Sequence, residues 1–244
     1  MLAKSPRLNY FIYHLLLSIV LISLIFIAII FLWYPTPLLY AVGGVNIALT
    51  LLIVDIIIGP ILSFLVYKEG KKTLKLDLIV ILILQISALL YGLFNFAQGR
   101  PVWIVQNEDR FELIRAIDVV NNEDKLNSNY KKSSWFGPQF VALSSNSTRK
   151  EKGQRLFKHI VLDIPNPFVT KFYVPLASEK NRIDLNSLSI DELIKYNSVE
   201  HVEIILEQYP SAKKWMPLKT NNLDMVVLLN KNSEVVRIVD LHPW

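Results

Sequence analysis

Apolar residues fall along this chain in three long blocks, and the pattern then changes. Tyr10–Trp33 carries no acid, lysine or arginine and only one histidine, His14, near its start. A second run, Ala41–Tyr67, holds a single acid, Asp55, and a third, Leu78–Ala97, holds no charge. A membrane helix needs about 20 consecutive apolar residues, so each block is long enough to span. The predicted spans cover about residues 11–33, 41–67 and 78–97, inside a transmembrane region of residues 1–98. A cleaved signal peptide is the competing reading of the first block. Its apolar core would be about 7–15 residues and would end in a small-residue cleavage site. Here the run is longer and ends in WYPTP, so it reads as an uncleaved anchor, with Trp33 and Tyr34 where interfacial aromatics belong.

From Gly99 onward the apolar runs are short and broken by polar residues, as in a soluble α+β domain spanning residues 99–244. Val102–Gln106 reads as a strand. Phe111–Val120 fits strand and helix spacing alike and stays open. Asn121–Ser134 reads as a loop, and Ser144–Gly153 as a loop or an exposed helix start. Prolines 165, 167 and 175 make IPNPFVTKFYVPL extended. Ser189–Glu192 has the spacing of a capping box opening a short helix, Ile190–Tyr196. A second helix covers Val199–Gln208 and stops before Pro210. Leu223–Leu241 reads as a β-hairpin with its turn at Asn230–Ser233, in which Val226, Leu228, Val236 and Ile238 fill one face and Trp244 packs on the domain.

Charge orients the blocks. The chain has 26 basic and 21 acidic residues, of which six and three lie at or before Gln98. The basic ones are Lys4 and Arg7 in the N-terminal tail and Lys68, Lys71, Lys72 and Lys75 between the second and third blocks. The Tyr34–Tyr40 loop has none. Positive-inside places the tail and the lysine loop in the cytoplasm and the C-terminal domain outside, in the periplasm of a two-membrane cell. The soluble part is nearly charge-balanced, which argues against a nucleic-acid partner despite the net +5. With no cysteine, disulfides and thiolate metal sites are excluded. His14, His159, His201 and His242 show no metal-ligand spacing, and no nucleotide-binding or nucleophile motif is present, so neither a cofactor nor an enzyme is expected. The Arg149–Arg155 run reads as a solvated face.

The candidate site residues therefore lie in the spans. Asp55 is an acid inside an apolar block, where it needs a partner or a polar cavity. Three readings of it stay open: it ties the second helix to the third through Gln85 or Ser87, it meets a partner's helix, or it couples to a proton or ion. His14 sits nearer the cytoplasmic end and is a poorer partner. The Gly59-Pro60 pair follows Asp55 one turn later, and Pro60 predicts a kink. Gly43, Gly44 and Ala48 are small residues of the kind that let helices approach closely in lipid.

WYPTPL, VDIIIGPILSFLVYKEGKKTLKLDL, QGRPVWIVQNEDRFELIRA, NPFVTKFYVPL and VVRIVDLHPW, in this order, resemble the TfpX/TfpZ family of type IV pilin accessory proteins. The resemblance covers the three spans, the first strand after them and the C-terminus, and leaves Asn121–Glu151 unmatched. It implies a bacterial inner-membrane, chaperone-like protein that binds or stabilises its cognate pilin before or during pilus assembly, with no catalytic residues. The pilin's transmembrane helix would seat near Gly43–Ala48, and its globular head would meet the α+β domain. The alternative is a membrane-anchored periplasmic sensor or scaffold unrelated to pili. The orientation is testable: a reporter active only in the cytoplasm should work inside the Lys68–Asp77 loop and fail when fused after Trp244.

Overall fold

A computed structural model describes residues 5–120, 130, 133–145, 153, 156, 160 and 165–244. The Asn121–Ser134 loop, the Ser144–Gly153 stretch, the Arg149–Arg155 run and His159 fall largely or wholly outside the described residues. The chain forms two compact units, Met1–Leu32 with Gly44–Gln98, and Trp33–Gly43 with Gly99–Trp244.

The first unit consists of three helices, Pro6–Leu32, Gly44–Val66 and Leu74–Gly99, each long and apolar enough to cross a membrane. The first and third extend further than the apolar blocks alone indicate, because flanking polar residues continue the helical turns. Side chains on the first and second helices interlock near one end. Tyr10 stacks on Tyr67 with ring centroids 5.2 Å apart, and Phe11 meets Phe64 edge-on at 5.6 Å. The Arg7 guanidinium lies 4.1 Å from the Phe64 ring centroid and donates to the Phe64 carbonyl. Leu51 fits over Gly92, where a Cβ would come within 2.4 Å of its Cδ2, so the second and third helices approach closely at a glycine.

The second unit is built on one mixed sheet. Its strands are β1 (Pro101–Asn107), β2 (Arg110–Arg115), β3 (Gln139–Leu143), β4 (Tyr173–Pro175), β5 (Leu188–Ser189), β6 (Ala212–Lys219), β7 (Met225–Asn230) and β8 (Val235–Val239). They lie in the order β4-β3-β1-β2-β6-β7-β8, with β5 beside β6. β1 is central and buried on both faces, as its VWIV run requires. One face packs Ile104, Phe111, Met216 and Val227 against Ile183 of the helix Lys180–Asn186. On the other, Trp215, Val226 and Leu228 pack against Val202 and Ile205 of the helix Val199–Gln208. Trp103, Val141 and Tyr173 form a third cluster towards β4.

The segment between the first two helices departs most from its expected form. Trp33–Gly43 is not a simple loop but part of the second unit. Its short helix, Leu38–Ala41, places Leu38 and Ala41 in the core with Phe111 and Met225. The Ala41 carbonyl accepts from the backbone N–H of Asn222 at 3.0 Å and of Leu223 at 3.2 Å, and from the Thr220 hydroxyl at 2.8 Å. Asn222 also donates its side-chain amide to the Tyr40 carbonyl at 3.1 Å. Tyr34 is 1% exposed, so it is a core residue and not a lipid-facing aromatic. Burial raises the pKa of its phenol, against the pull of Arg100 and Arg115. Such tertiary docking leaves no periodic trace in the eleven residues Trp33–Gly43.

Smaller expectations are corrected as well. Phe111–Val120 resolves into β2 and a 3-10 turn, Ala116–Asp118. After Pro165, NPFVTKFYVPL contains two 3-10 turns before β4, the first around Pro167, whose ring fixes φ without enforcing an extended ψ. Ile190–Lys195 is 3-10, and the Ser189 hydroxyl makes no capping bond; Ser198 caps the next helix by accepting from the His201 N–H. In the hairpin a bulge between Leu228 and Leu229 pairs Leu228 with Arg237 and Leu229 with Val235. Val236 therefore joins Val226 and Leu228 on one face, while Ile238 turns to the opposite cluster. Trp244 is 52% exposed, its ring 5.7 Å from the Lys219 ammonium, whereas Leu241 is 1% exposed. Asn197 holds His242 by its backbone, accepting from the N–H at 2.8 Å and donating to the carbonyl at 2.9 Å. Leu241 therefore fastens the tail. Leu241→Ala should cost about 2–5 kcal/mol, read as a lowered Tm in detergent. Deleting Trp244 alone should change stability by no more than about 0.5 kcal/mol.

Candidate functional site

The second helix is not α-helical throughout. Ile53–Ile58 forms a π segment between Gly44–Leu52 and Gly59–Val66, and Asp55 lies inside it. Single π turns within α-helices concentrate at functional positions. The local chemistry explains the break. In an α-helix the Asp55 carbonyl would accept from the N–H of Gly59, but that N–H bonds to the Val54 carbonyl instead. The next backbone nitrogen belongs to Pro60 and carries no hydrogen. The Asp55 carbonyl is thus left without a donor from its own helix. Gln85 on the third helix supplies one, its side-chain amide donating at 3.3 Å.

Gly59 makes that reach possible. A Cβ on Gly59 would lie 1.9 Å from Gln85 Nε2, so the amide occupies the space that any larger residue would take. Gly59, Pro60 and Gln85 therefore act together: proline frees the carbonyl, glycine opens the path and glutamine closes the bond. Ser87 does not take part; its hydroxyl donates to the Ile83 carbonyl on its own helix.

Two acceptors remain. Among the described residues, Asp55 Oδ2 and Gln85 Oε1 are both buried and have no hydrogen-bond partner. The Asp55 side chain is in a residue only 5% exposed. Both residues line a small cavity of about 80 Å³, together with His14 and Ser18 of the first helix. His14 Nδ1 is 2.7 Å from the Ser63 hydroxyl, which places an imidazole in the same polar cluster. His14 bonds Ser63 and not the Asp55 carboxyl, although both His14 and Asp55 line the cavity. The helix geometry aligns His14 with Ser63, two turns past Asp55. A wider groove of about 420 Å³, between the first and third helices, shares His14, Leu17 and Leu82 with the cavity. Unpaired acceptors in a cavity that adjoins an apolar groove suit a ligand that brings a hydrogen-bond donor on an apolar body.

The other predicted residues sit apart from this cluster. Gly44 opens the second helix and is buried. Gly43 adopts φ +73° in the turn beside Asn222 and belongs to the second unit, so its role there is conformational. The second unit has its own groove, of about 250 Å³, lined by Pro35, Phe140 and Val236 among others. It also has a buried polar cluster in which Arg182 donates to Gln106 and to the Leu143 carbonyl, and Glu179 accepts from Ser145. These groups partner one another, as structural clusters do. Among the described residues no group of three His, Asp or Glu side chains is placed to hold a metal ion.

The chain is similar to fimbrial assembly proteins of Dichelobacter nodosus. It is 24% identical to that of serogroup I over 93% of this chain and 92% of the relative, and 23% identical to that of serogroup E1 over the same shares. It is 30% identical to that of serogroups C1 and C2 over 45% of this chain and 86% of the relative. No family model matches the chain, and no solved structure matches it. The geometry of Gly59 is open to a double-mutant cycle. Gly59→Ala should destabilise the protein by about 1–3 kcal/mol through overpacking. In a Gln85→Ala background most of that cost should vanish from the thermal unfolding curve in detergent, because the atom that meets the new methyl is gone.

Proposed function

This chain belongs to the fimbrial assembly protein family, and on that premise we propose that it is an inner-membrane accessory protein that binds its cognate type IV pilin before or during pilus assembly. The observation that carries the reading is the kinship of nearly the whole chain, both units included, to proteins named for fimbrial assembly. The TfpX/TfpZ type is the finer assignment we favour, from the order of motifs running from WYPTPL to the terminal HPW.

The helices span the membrane, with the N-terminus and the lysine loop in the cytoplasm and the second unit in the periplasm. The protein acts by binding and not by catalysis. A pilin with an apolar anchoring helix would lie in the groove between the first and third helices, its backbone or a polar side chain donating to Asp55 and Gln85. Such a contact is modest: interhelical hydrogen bonds in bilayers average about 0.6 kcal/mol and reach roughly 1–2. That suits a protein that must hold its client and then release it to the assembling pilus.

Asp55 tests the proposal. Asp55→Leu removes the acceptor but leaves the backbone bond from Gln85, so the purified protein should keep its Tm within a few degrees. Recovery of pilin with the protein from mild detergent should then fall, by about tenfold at most. Asp55→Asn retains an acceptor and should lie between wild type and leucine. A Tm that collapses in Asp55→Leu with undiminished pilin recovery would make Asp55 a helix tie and remove it from the binding site.

A further inference from the structure

An aromatic cluster in the second unit gathers at the points where the chain joins the long helices. Trp33 follows Leu32, the last residue of the first helix, and Arg100 follows Gly99, the last residue of the third. Both contact Trp135. The rings of Trp33 and Trp135 have centroids 6.3 Å apart, and the Arg100 guanidinium lies 4.4 Å over the Trp135 ring. Trp135 is 60% and its neighbour Phe136 75% exposed, although both are large and apolar. The Ser134 hydroxyl accepts from the Phe136 N–H and donates to its carbonyl, each at 3.0 Å, fixing the turn that presents the ring. At the remaining junction, Tyr40, 57% exposed, stands four residues before the second helix begins at Gly44.

We infer that Trp135 and Phe136 insert into the outer headgroup boundary of the bilayer and fasten the second unit to the membrane surface. The occupant of this aromatic surface is lipid, for three reasons. Trp135 packs on the residues that follow two helix ends directly, so if those helices span, it lies at the interface by covalent connection. Tryptophan and tyrosine favour that zone, because the ring prefers the apolar side and the N–H or O–H the wet side. The neighbouring Phe136 has no polar group and so suits the acyl-chain boundary rather than water. The inference rests on the proposed membrane-spanning reading and adds a contact which that reading does not require.

The chain has no cysteine, so single labels can be placed without background. Phe136→Cys, Leu24→Cys on the first helix and Lys231→Cys in the β7–β8 turn are each spin-labelled in the full-length protein. The proteins are reconstituted in phosphatidylethanolamine–phosphatidylglycerol vesicles, and collision rates with oxygen and with a water-soluble nickel chelate are compared. The expected oxygen-to-nickel ratio at position 136 lies between those at 24 and 231. A ratio at 136 equal to that at 231, with 24 still reading as lipid, overturns the anchor and leaves the spans intact. A watery ratio at 24 overturns the spans and the anchor together. Quenching of Trp135 by lipids brominated near the headgroup, in a chain with the other four tryptophans replaced by phenylalanine, should agree; no quenching overturns the anchor.

Discussion

A buried backbone carbonyl with no donor is costly, and one such carbonyl governs the helical unit. Pro60 has no N–H, Gly59 gives its own to Val54, and the Asp55 carbonyl must look outside its helix. Gln85 answers from the third helix across the gap that Gly59 leaves. From this follow the π segment, the glycine and the pairing of two helices at that depth. It also follows that the Asp55 carboxylate is turned inward beside His14 and Ser18, with an oxygen that no described group satisfies.

The same chain solves a different problem in its second unit. The sheet buries both faces, and the Trp33–Gly43 segment completes one of them. Three donors on one carbonyl, that of Ala41, tie this segment to the turn between β6 and β7. Two elements far apart in sequence are thereby built into one core, and the division between the units does not follow a single cut in the chain.

Much of this was legible in the order of residues. The three apolar blocks gave the helices because length and charge-free composition are read directly. The VWIV strand, the Val199–Gln208 helix and the C-terminal hairpin followed from local periodicity. Asp55, Gly59, Pro60 and Gln85 stood out as residues foreign to an apolar helix. What could not be read is what depends on tertiary register. The π segment is a hydrogen-bond choice, not a composition. His14 joins the cluster by helix alignment, and Tyr34 is buried by docking. The bulge that sends Val236 and Ile238 to opposite faces breaks a period-two pattern that the letters alone satisfy.

The central claim is that a pilin helix occupies the groove between the first and third helices. A photoreactive benzoylphenylalanine in place of Leu82, which lines both the groove and the polar cavity, reports on it in living cells that make pilin. The account predicts one crosslinked product containing this chain and pilin, reduced when Asp55 is leucine. Crosslinks from Leu82 to lipid alone, in cells where pilin is abundant, would contradict it.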